Sequence, residues 1–256
     1  MDAHKPEGGP HPCPEEEWRV RCDLAALYRL VAHFRMTDLV FTHISARVPG
    51  PGHRFLINSY GVHFHEMRAS DPVKIDGDGN VVEEGRAGKE VNAAGFTIHS
   101  AVHRAREDLA CVVHTHTAAG IAVSAQKQGL LPISQHALKY HGRLAYHGYE
   151  GVALDLGERE RLVADLGPHD AMILRNHGLL AVGRSVPEAF DNIYFLERAC
   201  QAQTAALAGG AELVFPPEEV RSRTAAQFRR DAGARSALAW EAALRLLEHD
   251  RIDYRS

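Results

Sequence analysis

Apolar residues between Glu15 and Phe34 fall at Trp18, Cys22, Ala25, Leu27, Leu30, Val31 and Phe34, a near-helical spacing with acids in the first turn that predicts a first helix. The period then shortens. Phe41 to Val48 and Arg54 to Ile57 read as strands, and Val73-Lys74-Ile75 and Val81-Val82 flank Asp76-Gly77-Asp78-Gly79-Asn80 as a hairpin. Helical intervals return at Val91, Ala94, Ile98, Ala101, Val102 and Ala105 and lead into the apolar run Leu109-Ala110-Cys111-Val112-Val113. Beyond it the pattern predicts a helix from Thr117 to Gln128, a strand over 144–147, a helix over 158–166 and two short strands within 171–182. A long helix follows from Pro187 to about Leu207, closed by Gly209-Gly210, and the chain is helical again from Pro216 to Asp250. Helices interleaved with short strands, without repeats or a long interior linker, predict one layered α/β sandwich. Residues 1–14 read as a mobile arm, 15–210 as the main domain, and 211–256 as a helical extension packing on it or on a neighbouring subunit.

Composition narrows the partners. At 45% apolar residues the chain has ample material for a core, and a formal net charge of −4 provides no basic field for nucleic acid or an acidic membrane. No apolar run approaches the roughly 18–20 residues of a membrane span, and no basic-then-apolar leader opens the chain, so a cytoplasmic protein handling small molecules is expected. Cys13, Cys22, Cys111 and Cys200 are widely spread without a Cys-x-x-Cys, which predicts reduced thiols and no disulfides.

The candidate chemistry lies in histidine. His114 and His116 close the apolar run two residues apart, a spacing that points both side chains to one face of a strand. A third, His177, sits in the turn-like Arg175-Asn176-His177-Gly178. Three imidazoles on one ion leave positions open for water or substrate, the layout of a catalytic rather than a structural site. Zinc, iron, manganese and cobalt all remain candidates for one divalent ion per chain. With 17 histidines some close pairs arise by chance. His99 and His103, at i and i+4, lack the glutamate of a zincin helix and read as helix-surface or interface histidines. The acidic hairpin turn starts like a calcium loop but has Val81 where that loop needs glycine.

The segments Val91-Asn92-Ala93-Ala94-Gly95-Phe96-Thr97-Ile98-His99, Cys111 to Thr117, Gly129 to Ser134 and Leu174 to Leu179 together resemble the class II aldolase/adducin family, over about Arg19 to Gln203 and closer to its adducin-like branch. The resemblance implies a three-layer α/β/α sandwich with a central, mainly antiparallel sheet, a homotetramer with sites at subunit interfaces, and a divalent metal on His114, His116 and His177. It also exposes departures. The family's aldolases carry a catalytic glutamate nineteen residues before the first metal histidine, where this chain has Gly95, and their phosphate-binding serines fall at Ala93 and Ala94. The asparagine of their phosphate loop is His43 here. A phosphorylated sugar is therefore not the expected substrate, and His43, Ser45, Ser59, Tyr60, Gly61 and Gly95 are candidate contacts to a carboxylate. The aldolases' catalytic tyrosine aligns near His136, which becomes the candidate proton donor, with Tyr146, His63 and His65 weaker ones.

Three functions fit these residues. The first is a metal-dependent lyase, by decarboxylation or aldol-type cleavage, acting on an unphosphorylated 2-oxo or 2-hydroxy acid or a similar chelating molecule. The second is a non-haem iron oxygenase on the same three histidines. The third is a non-enzymatic interaction module like the adducin head, which an absence of any tail or neck disfavours. A glutamate restored at Gly95 is expected to reach the metal as a fourth ligand.

Overall fold

Short strands, most of them buried along their whole length, form one sheet. The computed structural model describes residues 13–86, 88, 90–151 and 157–256. The strands are β1 (His43–Arg47), β2 (Phe55–Ile57), β3 (Val73–Ile75), β4 (Val81–Glu83), β5 (Cys111–Thr115), β6 (Leu144–His147), β7 (Ala171–Leu174) and β8 (Gly178–Gly183). Their order is β4-β3-β2-β1-β5-β8-β7-β6, with every pair antiparallel except β6 and β7. The helices are α1 (Glu15–His33), α2 (Ala93–Ala105), α3 (Ala118–Ser124), α4 (Gln135–Leu138), α5 (Glu158–Leu166), α6 (Val186–Ala208), α7 (Glu218–Arg230) and α8 (Ala232–Leu244).

Successive residues of the central strands serve different layers. Cys111 and Val113 join Leu24, Leu27 and Leu30 of α1 and Ile193 and Leu196 of α6 on one face. Val112, Leu180 and Val182 join Ile98 and Val102 of α2 and Leu162 and Leu166 of α5 on the other. Period-two alternation thus supplies both helical layers of an α/β/α sandwich, as expected. The N-terminal arm lies almost wholly outside the described residues.

The C-terminal segment belongs to the same body. Trp240 is buried with its ring 5.7 Å from that of Phe190, and Leu247 and Tyr254 join the α1 and α6 core. Arg29 donates to Asp250 and to the Ile252 carbonyl, each at 2.9 Å. Leu244 also packs partly buried on that core. The helix expected to Gln128 ends at Ser124, and a single turn, α4, appears where no periodicity announced it. Ser134 caps that turn by accepting from the Ala137 amide at 3.2 Å.

Candidate metal centre

The centre is assembled where β5 leaves the sheet. His114 pairs with Leu180 of β8 on one side and His43 of β1 on the other, and His116 follows one residue beyond the strand. The turn between β7 and β8 brings in His177. There Asn176 adopts a left-handed conformation (φ 55°), which its short polar side chain tolerates, and the His177 amide donates to the Leu174 carbonyl at 3.1 Å. Arg175 braces the same turn, its guanidinium 4.3 Å from the Tyr146 ring and donating to the Gln126 carbonyl. Gly178 has to be glycine, because a Cβ there would stand 2.4 Å from the Thr115 carbonyl oxygen.

One nitrogen from each ring lies within 4.8 Å of the others. His114 Nε2 is 2.7 Å from His116 Nε2, which is 2.9 Å from His177 Nε2. The outward nitrogens decide what these contacts mean. His114 Nδ1 lies 2.9 Å from the Leu179 carbonyl and His116 Nδ1 lies 3.1 Å from Asp38 Oδ2, partners that only accept. Both rings therefore carry their proton on Nδ1 when neutral, and two bare Nε2 lone pairs face each other at 2.7 Å. Only a shared proton or a cation makes that arrangement favourable, and imidazoles held this way suit a divalent ion. Asp38 had no signal in the sequence, because it comes from the loop after α1 and is brought to His116 only by the fold. Its replacement by alanine is expected to weaken zinc binding by ~10–100-fold in calorimetric titration while leaving one equivalent bound.

Burial keeps the surrounding rings neutral. It lowers the His114 and His43 pKa well below the usual value, with neighbouring histidines adding to the effect, and lowers His177 to about 4. His99 is likewise far below its usual value and His103 is brought down to about 3, burial again the larger cause. In the unfolded chain His43, His99 and His103 take up protons as pH falls below about 6.5, and in the native state they do not. Their contribution is thus present above pH 6.5 and lost as pH falls toward the native values, at ~1.4 kcal/mol per pH unit for each ring still neutral. Metal-free protein is expected to show a urea midpoint that drops steeply between pH 6.5 and 4. A flat midpoint over that range would contradict the buried, neutral assignment.

His99 and His103 are not surface histidines. Both sit on the face of α2 that packs against β1, 0% and 4% exposed. His43 packs beside the triad, its ring centroid 4.9 Å from that of His114. Gly95 explains how it fits: a Cβ there would lie 2.7 Å from His43 Cδ2. A glutamate at Gly95 would meet the His43 ring with its first carbon, so that ring has to move before the side chain can reach toward the triad. Ser45, expected to face a carboxylate, is fully buried and bonded to His99 and His103, and Ser59 donates to the Asp71 and Gly88 carbonyls. Tyr60 is exposed, beside Gly61 at φ 94°. The Tyr146 hydroxyl accepts from the Leu130 amide, while His136 stacks on Phe195 at 5.2 Å. No described contact joins His136, Tyr146, His63 or His65 to the triad; His63 and His65 stack on each other. Tyr149, which no sequence pattern marked, does approach it, with its ring 6.4 Å from that of His177.

A sandwich of this topology, with three convergent imidazoles at the end of its central strand, defines an α/β/α class of protein with a candidate metal site. Residues 22–204 match the Class II Aldolase and Adducin N-terminal domain family, and the chain belongs to that family. It is 54% identical to an aldolase II superfamily protein from Pseudomonas syringae, with a TM-score of 0.92 over 96% of this chain and 98% of that one. The L-fuculose 1-phosphate aldolase from Glaciozyma antarctica is 25% identical, with a TM-score of 0.81 over 94% and 95% of the two chains. Alpha-adducin of Rattus norvegicus is 47% identical over 196 residues, 75% of this chain but 26% of adducin.

Proposed function

We propose that this chain is a divalent-metal-dependent lyase acting on an unphosphorylated 2-oxo or 2-hydroxy acid, or a similar chelating molecule, by decarboxylation or aldol-type carbon–carbon cleavage. The observation that carries the reading is the pair of bare Nε2 atoms of His114 and His116, 2.7 Å apart, with neutral His43 packed against His114 and glycine where the aldolases have their acid. His114, His116 and His177 would hold the ion, which would stabilise the negative charge that either cleavage leaves on the substrate. The Leu179 carbonyl and Asp38 keep two of those rings oriented. His43 is the group placed to give or take a proton, and Gly95 leaves room for its ring. The hydroxyls of Ser45 and Ser59 are already bonded within the protein, and positions 93 and 94 carry no hydroxyl, so the phosphate donors of a sugar-phosphate aldolase are missing.

Protein purified under nitrogen, assayed for bound metal and then for carbon dioxide or aldehyde release from a panel of 2-oxo and 2-hydroxy acids, tests the proposal. Anaerobic turnover that requires the metal is expected. Bound iron with substrate-dependent oxygen uptake would replace the lyase with an oxygenase, and a metal-loaded protein inert to the whole panel would favour an interaction module of the adducin kind.

The proposal includes a homotetramer. Apolar Leu39 and Phe41, 67% and 47% exposed, follow Asp38 in the same loop, and Tyr149 beside His177 is 56% exposed. Apolar surface gathered around a site is what a neighbouring subunit would cover. Light scattering is expected to give four chains at micromolar concentration; a monomer there would contradict it.

A further inference from the structure

A file of hydrogen bonds runs from the metal centre along the α2 face of the sheet. His43 Nδ1 lies 2.8 Å from His99 Nε2, His99 Nδ1 lies 2.5 Å from Ser45 Oγ, and Ser45 Oγ lies 2.8 Å from His103 Nε2. The file alternates between strand and helix because their repeats nearly match. Residues i and i+2 on a strand are ~6.7 Å apart along it, and i and i+4 on a helix ~6.0 Å, so His43 and Ser45 of β1 interleave with His99 and His103 of α2. All four side chains are buried. One end packs on His114. At the other, His103 lines a cavity of about 450 Å³ together with Arg47, Asp76 and Asp78 and the exposed His53–Glu107 pair. His103 Nδ1 is itself buried without a hydrogen-bond partner.

We propose that His43, His99, Ser45 and His103 form a proton relay between the metal centre and this second cavity. The proposal rests on the lyase reading only for what the relay serves. Its mechanism follows from tautomers. Ser45 has one hydroxyl proton for two imidazole neighbours, so the file has two self-consistent polarities, with every ring protonated at Nδ1 or every ring protonated at Nε2. In the second state His43 presents Nε2–H, and His103 Nδ1 is a bare lone pair. When His43 Nε2 gives its proton to a substrate carbanion, His99 Nε2–H passes to His43 Nδ1, the Ser45 hydroxyl proton to His99 Nδ1, and His103 Nε2–H to Ser45 Oγ. A proton from the cavity then binds His103 Nδ1. One proton leaves and one enters, and every ring is neutral before and after. The reverse sequence removes a proton from substrate. Decarboxylation needs a proton delivered to the carbanion, and the file can draw it from the cavity without opening the metal centre to water.

A purely structural file accounts poorly for its far end. His103 Nδ1 has no partner within the protein, and an apolar residue in its place would leave no ring nitrogen to pair. Burial lowers the pKa of His99 and His103, which agrees with rings that stay neutral while passing protons.

Ring nitrogen-15 spectra of zinc-loaded, histidine-labelled protein distinguish protonated from bare nitrogens. His43, His99 and His103 are expected to share one tautomer, or to average between the two in the same proportion. Mixed tautomers, or an imidazolium among the three at neutral pH, would overturn the relay. Oxalate, a chelating dianion that accepts but does not donate, is then added. It should draw a proton to His43 Nε2, and His99 and His103 should follow to Nε2–H. In Ser45→Ala, or in Ser45→Cys if the alanine variant fails to fold, His43 should still respond while His103 does not. Oxalate that binds without moving His43, a wild-type His103 that ignores His43, or an uninterrupted response in the Ser45 variant would each reject the proposal. Failure of oxalate to bind zinc-loaded protein would count against the metal-centre reading, and the shared-tautomer comparison would still decide the relay.

Discussion

Zinc titrated into the metal-free protein is expected to bind at one equivalent per chain, and changing His114, His116 or His177 to alanine to abolish that stoichiometric binding. The loss should exceed the ~10–100-fold expected for an outer partner such as Asp38, because each substitution removes a coordinating nitrogen rather than the group that orients it. Folding supplies an independent measurement. A ligand that binds only the native state stabilises it by ~4 kcal/mol at a thousandfold excess over its Kd, so zinc should raise the wild-type urea midpoint and leave the alanine variants unmoved. His114→Ala also relieves the 2.7 Å contact between bare nitrogens, so it should cost the metal-free protein less stability than burial of the ring alone suggests. A triple-alanine variant that retains one equivalent of zinc would place the site elsewhere.

Substitution at Gly95 should harm the protein from its first added carbon. Glycine within an unobstructed helix normally gains ~1 kcal/mol on change to alanine. Here the added Cβ meets the His43 ring at 2.7 Å, and that ring is buried and tied to His99, so Gly95→Ala is expected to destabilise by roughly 1–3 kcal/mol. Gly95→Glu should displace His43 as well, reducing native activity without creating aldolase activity, since the phosphate donors would still be absent. Wild-type and variant protein should both fail to cleave fuculose, rhamnulose and ribulose phosphates. Turnover of any of them by wild-type protein at ordinary rates of roughly 1–1,000 per second would reject the unphosphorylated-substrate reading. A Gly95→Ala protein more stable than wild type would show that His43 does not occupy the space assigned to it.

Much of the frame was legible along the chain because local periodicity determines it. The strand with His114, the helix over α2 and the long α6 each follow from apolar spacing that one sheet face or helix stripe must bury. The triad was legible for the same reason: i, i+2 spacing fixes His114 and His116 to one side, and the tight Arg175–Gly178 segment marks a turn that can return a third ring. Gly95 could be marked as a departure, but its consequence could not be read.

What the residues next to the triad do was decided by packing between segments distant in sequence. His99 and His103 have the spacing of a helix face, and nothing local says whether that face meets solvent or a strand. The antiparallel pairing of β1 with β5 sets His43 beside His114, and α2 laid across β1 turns two apparent surface histidines into a buried file with Ser45. Asp38 reaches His116 across 78 positions, and Trp240 finds Phe190 within its own chain, through tertiary contacts that periodicity does not encode. The sequence by itself determined which residues could ligate and which elements would carry them. Only the tertiary structure decided their partners, because hydrogen bonds and burial depend on what lies across the gap between elements, whereas periodicity reports only which side of an element faces that gap.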